Sequence, residues 1–265
     1  PLRGMRLTGR IAPLLFTLLL AVQGEPVLGA RTKVIVRSAG ASVPKEVYGV
    51  CVPVRLSCDG VPVCIYDGRL ADGEWVSSLT AAELAAQEVR LLGDVLSDWK
   101  ERGFRLFLEI CPPVGETLTP ERQAERELIL QRADSASGKA FAAISSASCD
   151  CAPLAEAALH TAYEAGFRQG EVWLITDDAE VLARYGGKSS KVPLCYLSSD
   201  GTCAAGVRGL FLHRMQIESK AVVKRLRRGG RRVLAWDVNS TEDAEAMRAC
   251  GVDFIVTDDP ESIAD

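Results

Sequence analysis

Histidine is scarce in this sequence, with two residues in a chain of 265, His160 and His213. A zinc site built from cysteine and histidine is therefore not expected. Nucleotide-binding folds use a glycine-rich phosphate loop, and no such loop follows any predicted strand. The formal net charge of −4 and the pI of ≈ 5.4 imply no general electrostatic attraction to nucleic acid or to anionic membranes. The candidate functional residues are therefore acidic residues, polar residues and cysteines.

Long apolar runs are also absent, and the one marked apolar stretch, residues 11–22, is short for a membrane span. Arg6 and Arg10 precede it after Met5, which we take as the true start, and small residues follow at positions 24, 29 and 30. This pattern predicts a secretory signal over residues 1–30 and a mature protein over residues 31–265, exported from the cytoplasm. The alternative is an anchor helix that is retained.

The chain has nine cysteines, so an exported protein would hold at least one free thiol or an intermolecular disulfide. Cys195 and Cys203 bracket a polar turn and form the pair that we predict to be bridged. The other cysteines are predicted to be small buried apolar residues.

Apolar runs typical of strands alternate with helical patterns along the mature chain. This alternation predicts parallel strands joined by helical crossovers, and eight units match a closed (β/α)₈ barrel. A doubly wound open sheet is the alternative. Residues 133–151 are predicted to be an insertion after the third strand, with an extra strand at 141–144. The predicted strands cover residues 33–36, 49–56 with a return arm at 62–66, 104–110, 171–175, 193–197, 210–212, 232–235 and 253–256.

Capping signals mark the predicted helices. Thr80 and Glu83 form a capping-box pattern that opens a helix over residues 80–100, and Thr119-Pro120 opens another. Three further helices, over residues 152–165, 219–228 and 241–250, each end at a glycine. The basic run at 225–232 is interpreted as a helix C-terminus, where cations complement the helix dipole.

In such a barrel, functional residues lie at the C-terminal ends of the strands. One of them, Glu109, sits in the apolar run RLFLEICPP at residues 105–113 and must be paired, metal-bound or facing a polar pocket. The polar residues at these predicted strand ends are Arg37, Ser38, Tyr66, Asp67, Glu109, Thr176, Asp177, Ser198, His213, Arg214, Asp237, Asn239, Thr257 and Asp258.

Several stretches resemble the glycerophosphodiester phosphodiesterase family, in order along nearly the whole mature chain. SAGAS at 38–42 resembles the family's HRGAS, and VCVPVRLSCDGVPVCIYD at 50–67 resembles its strand, Asp-Gly turn and His-Asp return. LEIC at 108–111 resembles IEIK, WDVN at 236–239 resembles WTVN, and GVDFIVTD at 251–258 resembles GVDGIITD. Residues 72–84 are similar to the linker after the His-Asp pair. The resemblance implies a (β/α)₈ barrel with a shortened first βα unit, since few residues separate Ser42 from Val50.

The family hydrolyses phosphodiesters with two histidines and a divalent cation, calcium or magnesium, held by carboxylates. The resemblance places other residue types at most of these positions. Glu109 is the one metal-ligand position that keeps its carboxylate, and Asp67, Trp236 and Asn239 also match. The substituted catalytic positions hold Ser38 and Ala39 for His-Arg, Cys51 and Pro53 for the metal-binding Glu and Asp, Tyr66 for the second His, and Cys111 for Lys.

We therefore predict an exported barrel without catalysis that retains a phosphate or polyol pocket lined by Ser38, Arg37 and Arg55. Glu109 is then expected to pair with Arg37 or Arg55. The expected partner is a small phosphodiester or polyol, with no nucleic acid and no membrane span, and the oligomeric state stays open.

Two alternatives remain open. One is an active phosphodiesterase in which Glu109, Asp67, Asp177 and Asp237 gather a cation and His213 acts as acid or base. The simpler interpretation of His213 is a cap at a strand end. The other is thiol chemistry at Cys51 and Cys111, which requires a lowered thiol pKa; two packed thiols or one disulfide is the simpler interpretation.

Overall fold

The structure, a computed structural model, describes residues 32–38, 43–112, 151–187, 190–199 and 203–263. Its strands are β1 Lys33–Arg37, β2 Gly49–Leu56, β3 Pro62–Cys64, β4 Arg90–Leu91, β5 Arg105–Ile110, β6 Val172–Thr176, β7 Leu194–Ser198, β8 Gly209–His213, β9 Arg232–Trp236 and β10 Phe254–Thr257. Its helices are α1 Ala81–Ala86, α2 Leu92–Glu101, α3 Ala152–Glu164, α4 Ala179–Tyr185, α5 Lys220–Leu226 and α6 Thr241–Cys250.

Eight parallel strands form a closed barrel, in the order β1-β10-β9-β8-β7-β6-β5-β2, and β2 pairs back with β1. Val36 lies opposite Thr257 of β10 on one side and opposite Val50 of β2 on the other, which closes the ring. β3 and β4 extend β2 as an antiparallel hairpin arm. The predicted (β/α)₈ barrel is confirmed, and the open-sheet alternative is wrong.

The first βα unit is shortened, as predicted. Between β1 and β2 the structure describes residue 38 and residues 43–48, and none of these is helical. The predicted insertion at 133–151 lies outside the described residues except for Cys151, and the helix predicted to begin at Thr119-Pro120 also lies outside them. No helix in the described part of the chain is long and apolar enough to cross a membrane.

The single helix predicted over residues 80–100 is wrong, because α1 and α2 are separated by the short strand β4. The Thr80–Glu83 capping box does form and opens α1. Glu88 then adopts the left-handed conformation, with φ 64°, which ends helical hydrogen bonding. Leu91 pairs with Val63 of β3 instead. The short helix α4, capped by Asp178, was not predicted from the sequence.

Strand alternation divides the core into an outer layer against the helices and an inner layer that fills the barrel. Gly209 belongs to the inner layer, where an added Cβ would lie 2.5 Å from Cys195 Sγ. Cys195 is fully buried there, whereas Cys203 is exposed, and both thiols are free. The predicted Cys195–Cys203 disulfide is therefore wrong, because alternation along β7 turns Cys195 into the barrel. The buried inner residues are Ile35, Cys51, Phe107, Cys111, Ile175, Cys195, Leu197, Phe211, Leu234, Trp236, Phe254 and Val256.

Candidate functional site

An ion pair between Arg37 and Glu109 lies at the C-terminal end of the barrel interior, which we call the mouth. The Arg37 Nη2 donates to both carboxylate oxygens of Glu109, at 3.1 and 3.3 Å. The two side chains are 3% and 1% exposed. Of the two cations predicted as partners for Glu109, the structure selects Arg37.

Aromatic rings surround the Arg37 guanidinium. Its central carbon lies 5.0 Å from the ring centre of Tyr66, 5.2 Å from Trp236 and 5.8 Å from Phe211. Desolvation by burial would lower the pKa of Arg37, but the nearby acidic groups, Glu109 first and then Cys51 and Asp258, together outweigh it and raise the pKa. Arg37 is therefore a permanent cation that is enclosed by the Glu109 carboxylate and by three aromatic rings.

Among the described residues, two polar atoms of the Arg37–Tyr66 contact are buried and have no hydrogen-bond partner. They are the Nε of Arg37 and the hydroxyl oxygen of Tyr66. Buried donors are normally paired with protein, water or ligand. An oxygen-rich ligand or an ordered water at the mouth would satisfy both atoms.

Asp177 follows β6 at the same end of the barrel. Burial, supported by the nearby Asp178 and Glu109 carboxylates and opposed by a backbone hydrogen bond, raises the pKa of Asp177 to about 6. Its proton therefore comes off near neutral pH, unlike that of an exposed aspartate. Sequence reasoning placed Asp177 here only as a cation ligand.

His213 is held at both ring nitrogens. Its Nδ1 accepts a hydrogen bond from the backbone N–H of Met215, so the Nε2 carries the proton and donates to Asp237 Oδ2 at 3.0 Å. His213 is also the N-cap of a short 3₁₀ turn, Arg214–Gln216. This geometry agrees with the interpretation of His213 as a strand-end cap, and both ring nitrogens already have hydrogen-bond partners.

Two further predicted pocket residues, Arg55 and Asn239, form hydrogen bonds that connect neighbouring strand ends. Arg55 donates to the backbone oxygens of Tyr66 and Pro112, so it ties β2 to the ends of its neighbours. Asn239 donates to Asp237 Oδ1 at 3.3 Å and accepts from the backbone N–H of Asp258 at 2.9 Å. Asp237 itself has φ 64°, a strained conformation for a non-glycine residue.

The remaining predicted positions differ in their burial. Ser38 is buried at the end of β1, and Ala39 lies outside the described residues. Asp67 is exposed, and within the described chain no hydrogen bond or ion pair joins it to Arg37 or Glu109.

The two cysteines at the mouth are protonated thiols. Cys51 Sγ lies 3.8 Å from Glu109 Oε2, and Cys111 Sγ lies 3.5 Å from the Glu109 backbone oxygen. Burial raises the pKa of Cys111 to about 12, and burial together with the Glu109 charge raises the pKa of Cys51 well above its ordinary value. Both thiols are free. A nucleophilic thiol needs the opposite shift, so these residues do not fit thiol catalysis.

The donor set does not fit a divalent cation. Hard cations take six or more oxygens, but Glu109 is bound by Arg37, Cys51 offers a protonated sulfur and the side chain of Pro53 offers no ligand atom. Across the described part of the chain, no group of three or more His, Cys, Asp and Glu residues could hold a metal ion. The proposed gathering of Glu109, Asp67, Asp177 and Asp237 around a cation is therefore absent from this part of the chain.

The fold and the position of the polar cluster define a (β/α)₈ barrel whose candidate site lies at the C-terminal ends of its strands. The family model for the glycerophosphoryl diester phosphodiesterase family matches residues 52–262. The chain belongs to this family. A search of curated proteins found no match.

Solved structures with the same fold include a glycerophosphodiester phosphodiesterase from Parabacteroides distasonis, at 19% identity and TM-score 0.59, covering 88% of this chain and 95% of that one. The enzyme from Thermotoga maritima gives 16% identity, TM-score 0.57 and coverage of 86% and 94%. An Oleispira antarctica phosphodiesterase in complex with the product sn-glycerol-3-phosphate gives 18% identity, TM-score 0.58 and coverage of 87% and 94%.

Proposed function

We propose that this protein is a non-catalytic member of its family that binds a small phosphate or polyol ligand at the barrel mouth. The observation that carries this proposal is the buried Arg37–Glu109 pair. A guanidinium 3.1 Å away offsets the negative charge of this carboxylate, which weakens its attraction for a divalent cation.

The acid–base part of the chemistry is also unsupported by the described residues. Each general acid or base contributes typically about 10²–10⁴-fold, and cation assistance adds several kcal/mol of charge stabilisation. Tyr66 occupies one histidine position of the family resemblance, and Ser38 occupies the other. His213 cannot take over the role, because Asp237 and the Met215 N–H engage both of its nitrogens.

Ligand binding is supported by the two buried donors that lack partners, Arg37 Nε and the Tyr66 hydroxyl. Both suit an oxygen acceptor such as phosphate or a polyol hydroxyl. The Oleispira antarctica relative in complex with sn-glycerol-3-phosphate makes this compound the natural first probe. Trp236 adds an apolar wall beside Arg37.

Calorimetry with sn-glycerol-3-phosphate and, separately, with calcium and magnesium tests this proposal. We expect heat of binding from the phosphate probe, a loss of about tenfold in affinity in Tyr66→Phe, and no stoichiometric cation binding. Tyr48→Phe, at the opposite end of the barrel, is the matched control and should bind as the unmodified protein does.

The second candidate function is an active, metal-dependent phosphoric diester hydrolase, which the family membership favours. Cation binding that disappears in Glu109→Gln but persists in Asp67→Asn, together with cation-dependent hydrolysis of a chromogenic phosphodiester, would establish this function and refute the non-catalytic one.

We also propose that the protein is exported, with residues 1–30 as its signal. The support is the order of Arg6 and Arg10, the apolar residues 11–22 and the small residues at 24, 29 and 30. N-terminal sequencing of the protein from its native host would give a start near residue 25 or 31 if the proposal is correct. A protein that retains residues 11–22 would contradict it.

A further inference from the structure

The N-terminal end of the barrel, opposite the mouth, carries a cluster of cations on three adjacent strands and one helix. β7, β8 and β9 are neighbours in the sheet, and all start at this end because the strands are parallel. α5 runs back from the mouth, so its last turn also ends here. We call the following residues the basic face: Lys191, Arg208, Lys224, Arg225, Arg227, Arg228, Arg231 and Arg232.

Within the described part of the chain, one carboxylate forms ion pairs with members of the basic face. Asp253 accepts from Arg227 and from Arg232, at 2.8 Å each. Arg208 and Arg231 donate to backbone oxygens, which leaves their charge uncompensated. Lys191, Lys224, Arg225 and Arg228 form no ion pair with any carboxylate in the described part of the chain, and all four are exposed. The result is a concentrated positive field on a protein whose net charge is −4.

Three aspartates lie at the other end. Asp177, Asp237 and Asp258 each follow directly after a barrel strand, at the mouth. The basic face therefore lies on the side of the barrel away from the candidate site.

We infer that the basic face docks this protein on an anionic phospholipid surface, with the mouth directed away from the lipid. Charge complementarity carries the inference. The described part of the basic face has no exposed aromatic residue, and the one large exposed apolar residue described is Met215, near the mouth. A single-stranded nucleic acid partner would use aromatic stacking platforms, so lipid is the better match. This inference does not depend on the ligand proposed for the mouth.

Co-sedimentation of the full chain with vesicles tests the inference. Binding to vesicles of phosphatidylcholine with phosphatidylglycerol is compared with binding to vesicles of phosphatidylcholine alone. Any binding through the apolar residues 11–22 is common to both vesicle types, so the difference measures the electrostatic contribution. We expect binding to the anionic vesicles to exceed binding to the neutral ones and to fall as salt is raised through the physiological range. Replacing Lys224, Arg225 and Arg228 by glutamine should lower the affinity for anionic vesicles about 100-fold.

A matched variant removes three exposed cations outside the basic face, Arg69, Arg90 and Lys220, by replacement with glutamine. It changes the net charge equally and should keep most of the binding. Equal loss in both triple variants would show that only net charge matters and would overturn the inference. Equal binding to neutral and anionic vesicles would also overturn it, and so would tighter binding to RNA than to anionic vesicles at the same salt.

Discussion

At the mouth of the barrel an ion pair is enclosed, with Arg37 and Glu109 only 3% and 1% exposed, whereas at the opposite end the charges stay in water. There Asp253 is 5% exposed, but its partners Arg227 and Arg232 are 39% and 52% exposed. A buried charge depends on one specific partner because desolvation is costly. An exposed cation is solvated and can exchange partners at little cost. The ion pair at the mouth is therefore held in one arrangement, whereas the cations of the basic face remain free to contact a binding partner.

The largest effect is expected from breaking the enclosed pair. Glu109→Gln leaves the Arg37 guanidinium buried without its counter-charge, which should lower the free energy of unfolding by about 3–5 kcal/mol. Urea denaturation followed by circular dichroism measures it. Arg37→Met combined with Glu109→Gln should recover much of the loss. A single variant as stable as the unmodified protein would show that the pair is not buried in solution.

A smaller effect is expected from the corresponding carboxylate at the other end. Asp253→Asn weakens two hydrogen bonds to half-exposed arginines but can keep the acceptor for the Val233 backbone N–H, now 2.9 Å away. We expect a loss of about 1–2 kcal/mol in the free energy of unfolding. A loss equal to that of Glu109→Gln would contradict the distinction between enclosed and exposed charge.

Asp177 gives the mouth a pH dependence. Because its pKa in the folded protein, about 6, exceeds the ordinary value of 3.8, this group favours folding at low pH, and its contribution is lost as pH rises through 6. Asp177→Asn should thus be more stable than the unmodified protein at pH 7.5, by up to about 2 kcal/mol. The difference should vanish below pH 4. Parallel denaturation curves at the two pH values decide this, and a difference that is independent of pH would refute it.

The smallest effect on stability is expected from the basic face. Replacement of Lys224, Arg225 and Arg228 by glutamine removes exposed charges that form no ion pair in the described part of the chain. The free energy of unfolding should therefore change by less than about 0.5 kcal/mol. Thermal unfolding measures this change, and the same variant loses vesicle binding under the inference above. A large loss of stability would mean that these cations support the fold rather than a partner.

The strands and most helix ends could be predicted because their signals are local. Apolar runs marked all eight barrel strands, and Gly251, with φ 81° after α6, ended that helix where predicted. The break between α1 and α2 could not be predicted, because β4 forms only when Leu91 meets Val63 from an earlier strand. Local propensity favoured one continuous helix there, and a tertiary contact overrode it.

The site was predicted as a set of residues but not as an arrangement. Strand alternation directs Arg37, Glu109 and Cys51 into the barrel, so their presence at one end followed from the sequence. Their partners did not: Glu109 had two candidate cations, and Cys195 was assigned a disulfide although it points into the core. The basic run at 225–232 was interpreted as a helix end, since Lys191 and Arg208 join it only in the folded barrel.

The sequence by itself determined the (β/α)₈ barrel, the family resemblance and the residues that stand at the mouth, because periodicity and motif order are properties of the chain. Only the tertiary structure decided that Arg37, 72 residues before Glu109, neutralises that carboxylate. It also decided that Cys51 and Cys111 stay protonated and that the cations gather on one face. The reason is physical: the energy of a charge depends on its burial and on its distance from other charges, and folding alone sets both.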